Sequence, residues 1–240
     1  MSIQERGITY EYQGKPYEGL FVWDGDSTGP LPGVLVSHAW GGRSGFEDSK
    51  AHWLASQGYA AFALDVYGAG VRGNNADENA ALMNPLLADR QELQGRLKAA
   101  LAVLQTQAEV NGDSCAAIGY CFGGLCVLDL ARGGSDLRGV VSIHGLFNAP
   151  ELSLADSVKA KVLCLHGYDD PMATPESLLS LADEMTGLGV DWQVHAYGGT
   201  LHAFTNPAAN DAGAGTLYSP DADRRASQAT LNFLAEVCGS

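Results

Sequence analysis

Short apolar segments alternate with longer segments of helical periodicity over most of this 240-residue chain, and this alternation limits the folds available to it. The apolar segments have the length of strands, and the segments between them repeat their apolar residues at helical spacing. Such alternation produces a mostly parallel sheet with helices on both faces, joined by right-handed crossovers. Ligands of such sheets bind beyond the carboxyl ends of the strands, so the residues that follow each strand are the candidates for function.

The predicted elements begin with an antiparallel hairpin, because residues 8–13 and 17–23 alternate apolar and polar side chains around a short turn. Further strands are predicted at 33–37, 60–65, 115–119, 140–143, 162–165 and 191–196, and helices at 47–56, 89–107, 124–131, 175–186 and 222–237. We expect one α/β domain over residues 1–240, with a mostly parallel central sheet, an N-terminal antiparallel hairpin and helices on both faces.

The composition of the chain excludes several classes of protein. Hydrophobic residues make up 46% of the chain and charged residues 18%, which suffices for a large core and is too apolar for a disordered chain. The net charge of −14 argues against a nucleic-acid or anionic-membrane surface, because phosphates are bound by clustered cations. No apolar run approaches the ~18 residues of a membrane-spanning helix, and the N-terminus lacks the apolar centre of a signal peptide. We expect a cytoplasmic protein.

Cysteine usage indicates reduced thiols. The five cysteines, at positions 115, 121, 126, 164 and 238, are odd in number and mostly lie in apolar segments, which is not typical of a disulfide framework. No pair of cysteines and no cluster of cysteine and histidine has the spacing of a zinc site. The sequence therefore predicts no metal site, and each thiol has to be judged by its surroundings.

Two glycine-containing motifs match functional loops by their letters but lack the required context. Residues 25–29 (GDSTG) have the spacing of a serine nucleophile motif, but prolines follow them instead of the helix that lifts a nucleophile clear of a sheet. The loop from Gly68 to Gly73 (GAGVRG) follows a predicted strand, as dinucleotide-binding loops do, but no apolar helix face comes after it. Asp65 would also bring a negative charge close to a bound pyrophosphate. Both motifs are interpreted as loops.

A third motif, residues 119–124 (GYCFGG), has the context that the other two lack. It lies between the predicted buried strand at 115–119 and the predicted helix at 124–131, which is the arrangement of a nucleophile elbow with cysteine in place of serine. Flanking glycines relieve crowding in such a turn, and the positive end of the helix dipole favours a thiolate. Cys121 is therefore the candidate nucleophile, and a buried structural cysteine is the alternative for this residue type.

Two later strand exits supply partners for a nucleophilic thiol, which needs a base and a group that orients the base. The strand predicted at 162–165 leads into residues 166–171 (HGYDDP), and the strand at 191–196 leads into residues 197–202 (YGGTLH). In the chain order nucleophile, acid, histidine, His202 is the candidate base and Asp170 its orienting acid. Asp169 competes with Asp170, and an aspartate after a strand is also a common helix cap. The other histidines, at positions 38, 52, 144, 166 and 195, make the assignment less specific.

With these motifs the sequence resembles the dienelactone hydrolase (carboxymethylenebutenolidase) family of α/β-hydrolases, from about residue 33 to the C-terminus. The resemblance rests on residues 119–124, 166–171 and 202–207 (HAFTNP). It implies the α/β-hydrolase fold, Cys121 as nucleophile, His202 as base and Asp170 as its orienting group, and it implies no metal or organic cofactor. One oxyanion donor is expected to be the backbone N–H of Phe122, the residue after the nucleophile. By resemblance, the second donor is the N–H of Trp40.

Two departures from the family pattern bear on thiol control and on the substrate. The family carries a glutamate near the thiol, and the matching position here is Ala39. The dienelactone enzyme also uses an arginine four residues after its histidine to bind the substrate carboxylate, and this position is Asn206 here. Arg72 and Arg90 are other candidates for that role, but a solvated or ion-paired arginine is the more ordinary interpretation. Dienelactone itself is therefore a weak expectation as the substrate.

We expect a hydrolase of small esters or lactones that works through a thioester acyl-enzyme. Its partner is a small-molecule substrate, with no nucleic acid and no membrane, and it is expected to be a monomer or a small homo-oligomer. Two alternatives stay open. One is a nucleotide-linked oxidoreductase that uses the loop from Gly68 to Gly73, and the other is a hydrolase-fold protein without catalysis that binds ligands or senses redox state.

Overall fold

The computed structural model describes residues 1–150 and 158–239, which contain an eight-stranded sheet with helices packed on both faces. The strands of this sheet are β1 (Ile3–Tyr12), β2 (Lys15–Asp24), β3 (Leu31–Ser37), β4 (Ala60–Ala63), β5 (Val110–Tyr120), β6 (Gly139–Ile143), β7 (Lys161–Gly167) and β8 (Trp192–Tyr197). The helices are α1 (Gly45–Ala55), α2 (Ala76–Ala88), α3 (Arg90–Gln105), α4 (Phe122–Arg132), α5 (Pro175–Gly187) and α6 (Pro220–Cys238). A small hairpin of β9 (Asn210–Asp211) and β10 (Thr216–Leu217) follows β8. No helix in the described ranges is long and apolar enough to cross a membrane.

The strand order brings two loops together near the middle of the sheet. The order is β1-β2-β4-β3-β5-β6-β7-β8, and β2 is antiparallel to both of its neighbours, whereas the pairs from β4 to β8 are parallel. From β3 the chain moves outward to β4, and from β5 it moves the opposite way to β6. The loops after β3 and β5 therefore leave adjacent strand ends, where Ser37 is the register partner of Gly119. Such a switch point is where this type of sheet binds ligands.

The two faces of the sheet carry separate hydrophobic cores. On one face α2, α3, α4 and α5 pack against the sheet through buried residues such as Leu93, Leu97 and Leu125. On the other face α1 and α6 do so, with Leu54 and Phe233 among their buried residues. Because both faces are covered, the central strands are apolar on both sides, as in β3, β6 and β7. The predicted fold class is confirmed.

The main error of the sequence analysis concerns α2, which it treats as a polar stretch. The helix begins after Asn75, whose side chain accepts the N–H of Glu78 at 3.0 Å and so caps the first turn. Leu86 is buried in α2, and Leu82, Met83 and Leu87 pack against the same core partly buried, but these residues span less than two turns around Pro85, so the helical pattern is short. The helix predicted at 89–107 accordingly starts at Arg90, as α3, after a second cap at Asp89.

Candidate active site

Cys121 lies at the tight turn between β5 and α4, where it is the N-cap residue of the helix. Its backbone has φ of 57° and ψ of −117°, and positive φ is uncommon for a residue other than glycine. A side chain on Gly119 would collide with the backbone of Gly123, so only glycine permits this close packing of strand and helix. The turn leaves Cys121 partly exposed, and the residue lines a cavity at the carboxyl edge of the sheet.

The other four cysteines are also unpaired, but none of them lines this cavity. Burial raises the pKa of Cys115 and of Cys164 to about 12, and it raises the pKa of Cys126 as well. Thiols with such pKa values stay protonated at neutral pH and are poor nucleophiles. Among the five, Cys121 therefore has the surroundings expected of a reactive thiol.

His202 and Asp170 form a buried pair at the same edge of the sheet. The Nδ1 atom of His202 lies 2.6 Å from Oδ2 of Asp170, and both residues are 2% exposed. The second carboxylate oxygen, Oδ1, accepts the N–H of Met172 at 2.8 Å, which holds the carboxylate in this orientation. Asp169 is exposed, and its backbone N–H donates to the carbonyl of Thr200. The geometry therefore favours Asp170 over Asp169 as the partner of His202.

The electrostatics of this pair favour a proton on His202. Burial lowers the pKa of His202, but the negative charge of the Cys121 sulfur and the hydrogen bond to Asp170 outweigh burial and raise that pKa to about 10. The Nε2 atom of His202 is buried and has no hydrogen-bond partner among the described residues. Because Nδ1 is occupied by Asp170, Nε2 is the atom available for proton exchange with the thiol.

The two expected oxyanion donors lie on the two loops of the switch point. Phe122 is the first residue of α4, so its N–H has no partner within the helix. Trp40 belongs to the loop after β3, and its side chain lines the cavity. Within residues 1–150 and 158–239, neither N–H donates to a protein acceptor, so both are free to bind a ligand oxygen. Their role as donors stays a prediction.

A buried glutamate that the sequence analysis misses holds the loop that carries Trp40. Glu47 belongs to α1, is 1% exposed and lines the cavity. Its Oε1 accepts the N–H of Ala39 at 3.1 Å, and its Oε2 accepts the N–H and the hydroxyl of Ser44 at 2.9 and 2.7 Å. A carboxylate therefore does reach Ala39, from the helix that follows rather than from the strand exit. In the sequence, the pattern that could have pointed to Glu47 is its capping-box spacing from Ser44.

His144, directly after β6, is a second residue that the sequence analysis does not assign. Its Nδ1 accepts the backbone N–H of Cys121 at 3.2 Å, and its Nε2 lies 2.9 Å from the hydroxyl of Thr205. Because Nδ1 is an acceptor, Nε2 carries the proton and donates to Thr205. Burial and the charge of His202 lower the pKa of His144 well below its usual value, which agrees with a neutral ring. His144 thus connects the turn of Cys121 to the loop of His202. In the sequence, the feature that could have pointed to His144 is its position directly after a predicted strand.

The cavity above the thiol has a volume of about 750 Å³ and is mostly apolar. Its wall includes Cys121, His202, His144 and Glu47. The rest of the wall includes the apolar side chains of Trp40, Phe46, Met83, Tyr120, Leu146 and Met172. A cavity of this size and lining accepts a small organic molecule.

The two arginines considered as carboxylate ligands lie in different environments. Arg90 is buried, with Nε and Nη2 each 2.6 Å from a carboxylate oxygen of Asp129, so it is an ion-paired residue of the interior and not a substrate ligand. Arg72 does line the cavity, but its Nε donates to the carbonyl of Arg43 and its Nη1 to the carbonyl of Val71. Its guanidinium therefore joins two loops of the cavity wall.

The two weaker glycine motifs have no catalytic geometry. Residues 25–29 form an exposed turn between β2 and β3. The loop from Gly68 to Gly73 does precede a helix, but α2 begins only at Ala76 and its N-terminus is capped by Asn75, which leaves no open anion site. The dinucleotide alternative is not favoured. In the described part of the chain, no group of three or more His, Cys, Asp or Glu side chains is arranged to hold a metal ion.

A cysteine, a histidine and an aspartate thus converge at the carboxyl edge of one sheet, and the cysteine stands on the strand–helix turn that carries the nucleophile in α/β-hydrolases. The protein has the fold of that class. More narrowly, the chain belongs to the dienelactone hydrolase family, whose model matches residues 20–238.

Similar proteins agree with this assignment. The solved structure named m3DLH is 34% identical, and the superposition covers 100% of both chains with a TM-score of 0.95. A dienelactone hydrolase-like promiscuous phosphotriesterase from metagenomic libraries is 35% identical, with 100% of both chains covered and a TM-score of 0.94. The carboxymethylenebutenolidase of Pseudomonas putida is 28% identical over 216 residues, which are 87% of each chain. Family membership makes this protein a hydrolase of esters or lactones.

Proposed function

We propose that the protein hydrolyses small carboxylic esters and lactones through a covalent thioester on Cys121. The observation that carries the proposal is the buried pair of His202 and Asp170, 2.6 Å apart, which leaves Nε2 of the histidine free beside the thiol. A base that is oriented by a carboxylate and adjoins a thiol is the arrangement that activates a nucleophile.

In the first half of the reaction, the thiol proton moves to Nε2 of His202 and the sulfur attacks the carbonyl carbon of the substrate. The carbonyl π electrons move to oxygen, and the N–H groups of Trp40 and Phe122 stabilise the resulting oxyanion, with a contribution of about 3 kcal/mol for each donor. When the intermediate collapses, the C–O bond to the leaving group breaks. The leaving oxygen takes the proton from Nε2, and the acyl group remains on sulfur as a thioester.

In the second half, a water molecule attacks the thioester carbon while Nε2 of His202 accepts one of its protons. The same two N–H groups stabilise the second oxyanion. Collapse then breaks the C–S bond, the carboxylic acid leaves, and the proton returns to the pair of Cys121 and His202. Asp170 keeps the imidazole in the tautomer that has Nε2 free throughout, and it stabilises the imidazolium form.

The test of the nucleophile compares wild type with Cys121→Ala in the hydrolysis of p-nitrophenyl acetate. We expect kcat/KM to fall by at least about a thousandfold, because a triad that lacks its nucleophile retains only the effect of binding and the oxyanion hole. Cys238→Ala is the matched control, since Cys238 is a partly exposed thiol that does not line the cavity. Equal activity of wild type and Cys121→Ala would show that another residue is the nucleophile.

The orienting acid has its own matched pair of variants, because two aspartates are adjacent in the chain. Asp170→Asn is expected to lower kcat by about a thousandfold or more, since an amide favours the wrong imidazole tautomer. Asp169→Asn changes an exposed side chain and is expected to leave kcat within about twofold. Loss of activity in Asp169→Asn with activity retained in Asp170→Asn would reverse the assignment.

A second candidate activity is the hydrolysis of neutral phosphotriesters. The wide apolar cavity above the thiol favours it, and so does the 35% identity to a promiscuous phosphotriesterase. Here the Cys121 sulfur would attack phosphorus, the aryloxide would leave, and water would release the phosphoryl group from sulfur. The test is the release of p-nitrophenol from diethyl p-nitrophenyl phosphate by wild type and by Cys121→Ala. Equal rates for the two proteins would rule this activity out.

A further inference from the structure

The two arginines of the cavity wall each have an acidic partner within the protein. Arg43 forms an ion pair with Asp48, with Nη1 2.7 Å from Oδ1. The second cation, Arg72, uses Nε and Nη1 on backbone carbonyls, and its Nη1 lies 3.8 Å from Oδ1 of the buried Asp65. Each arginine of the wall therefore has an acidic partner of its own.

One further acidic side chain lies on the wall, and it has no basic partner among the residues that the structure describes. Glu47 is 1% exposed, and the groups that bond to its carboxylate are backbone N–H groups and a hydroxyl. Asn206, which follows His202 by four residues, is one of the uncharged polar residues of the wall, and its Oδ1 accepts the N–H of Ala208. A second carboxylate in this cavity would meet the carboxylate of Glu47, while the two arginines of the described wall are already paired with Asp48 and Asp65.

The net charge of the whole molecule also disfavours anionic substrates. Its net charge of −14 produces a negative potential, which lowers the encounter rate of anionic substrates at low ionic strength and leaves that of neutral ones unchanged. The cavity itself offers apolar contacts from Met83, Leu146 and Met172. These contacts are complementary to hydrocarbon or aryl groups.

We propose that the substrates of this site are uncharged esters or lactones with bulky apolar groups, and that the site discriminates against esters that carry a second, ionised carboxyl group. The inference rests on the proposed esterase function. It differs from that proposal in predicting which member of a pair of esters is preferred.

The experiment uses two p-nitrophenyl esters of equal acyl length, the valerate and the mono-glutarate, which differ by a terminal carboxylate. For wild type we expect kcat/KM to be at least about tenfold higher for the valerate, because the wall arginines are already paired with acidic groups and Glu47 faces the second charge. We also expect kcat/KM for the glutarate alone to rise when the salt concentration is raised from about 0.01 M to about 0.5 M.

Variants at two wall positions test whether charge causes the preference between the two esters. Asn206→Arg adds a cation to the wall and should raise the ratio of kcat/KM for the glutarate to that for the valerate several-fold, whereas Asn206→Gln, which adds size without charge, should leave this ratio near the wild-type value. Arg72→Gln should affect both esters to the same degree, because Arg72 joins loops and does not bind substrate.

Each outcome has a defined consequence. Equal rates for the two esters in wild type, a preference for the glutarate, or a selective loss of glutarate hydrolysis in Arg72→Gln would overturn the inference while the esterase function stands. Hydrolysis of neither ester by wild type would overturn the esterase proposal and this inference with it.

Discussion

Two histidines that lie side by side in this site have opposite electrostatic environments. The ring centroids of His144 and His202 are 5.2 Å apart. The pKa of His202 is raised because a sulfur and a carboxylate adjoin it, whereas the pKa of His144 is lowered because it is buried and faces His202. One ring is thus suited to carry a proton, and the other is suited to remain a neutral bridge between loops.

The bridging role of His144 can be tested by two amide substitutions, each of which keeps a polar atom at the position of one ring nitrogen. In His144→Asn the amide oxygen takes the position of Nδ1 and can still accept the N–H of Cys121, and asparagine tolerates the φ of 38° found there. In His144→Gln the amide keeps the position of Nε2 next to Thr205 but loses the Nδ1 acceptor, so the N–H of Cys121 keeps one of its two acceptors, the carbonyl of Ile143 at 3.1 Å. We expect kcat to fall less than about threefold for Asn and about tenfold or more for Gln, with KM unchanged in both.

Steady-state kinetics on one ester, with thermal unfolding of each variant as the control for stability, measure this difference. Thr205→Val gives the complementary control, because it removes the partner of Nε2 and leaves the contact with Cys121 intact. If the Asn and Gln variants lost the same fraction of kcat, the bond to Cys121 would have no positioning role.

The raised pKa of His202 has a consequence for the pH dependence of stability. Its pKa rises from 6.5 to about 10 on folding, so the folded state binds the proton more tightly than the unfolded state. This contribution is complete below a pH of about 6.5 and is lost as the pH rises to about 10. We expect the free energy of unfolding of wild type, relative to His202→Gln, to decrease over this range in urea titrations. In Cys121→Ala the dependence should be weaker, and an unchanged dependence would argue against the influence of the sulfur.

At the scale of elements, α1 connects its own N-terminal cap to the expected oxyanion loop. The same carboxylate of Glu47 closes the capping box with Ser44 and binds the N–H of Ala39, next to Trp40. The start of the helix and the position of the Trp40 N–H are therefore determined together.

This coupling predicts different effects for two variants of one capping box. Glu47→Gln replaces one acceptor oxygen by a donor, so it should lower stability by about 1–2 kcal/mol and kcat by about tenfold through a loosened Trp40 loop. Ser44→Ala removes the capping hydroxyl but keeps the bond from Glu47 to Ala39, so it should lower stability by about 1 kcal/mol and leave kcat nearly unchanged. Urea unfolding and kcat together measure this. Equal losses of kcat in both variants would contradict the coupling.

The elements also determine how much of this site is predictable from sequence. The strand exits that carry Cys121, Asp170 and His202 are found from local pattern, and parallel strands then bring their carboxyl ends to one edge. The contacts of Glu47 and His144 are not found, because they join residues of different loops, and local periodicity contains no information about such distances. Helix α2 escapes detection for a different reason, since its large apolar residues are confined to its C-terminal half around Pro85 and its first turn is polar.

At the scale of the whole molecule, a buried network of charges joins the helices of one face. Arg90 and Arg132 both contact the carboxylate of Asp129, and Arg132 also pairs with Glu184 at 2.7 Å. Asp129 and Arg132 are 0% exposed. The network connects α3, α4 and α5, and so it fixes α4, the helix whose N-cap is Cys121, to its neighbours. A single domain over residues 1–240 remains our prediction.

Removal of the central acid should therefore destabilise the fold strongly. Asp129→Asn leaves two buried guanidinium groups with reduced compensation, and we expect a loss of about 3–5 kcal/mol in the free energy of unfolding. Glu236→Gln is the control, since it alters the exposed pair with Lys161 and should cost less than about 1 kcal/mol. Chemical denaturation of both variants measures this, and a loss of similar size in the two would mean that the network contributes little.

The close packing at the nucleophile turn also determines how this enzyme can change. A methyl group on Gly123 would meet the carbonyl groups of Ser37 and His38, and one on Gly124 would lie 2.6 Å from the Cα of Gly145. A side chain at either glycine would force the surrounding backbone to move, whereas we expect Met83 and Leu146, which line the cavity, to tolerate exchange more readily. A lineage that adapts to new substrates therefore varies the wall and inherits the turn intact. A mutant library confined to the wall would explore new substrates with few unfolded members.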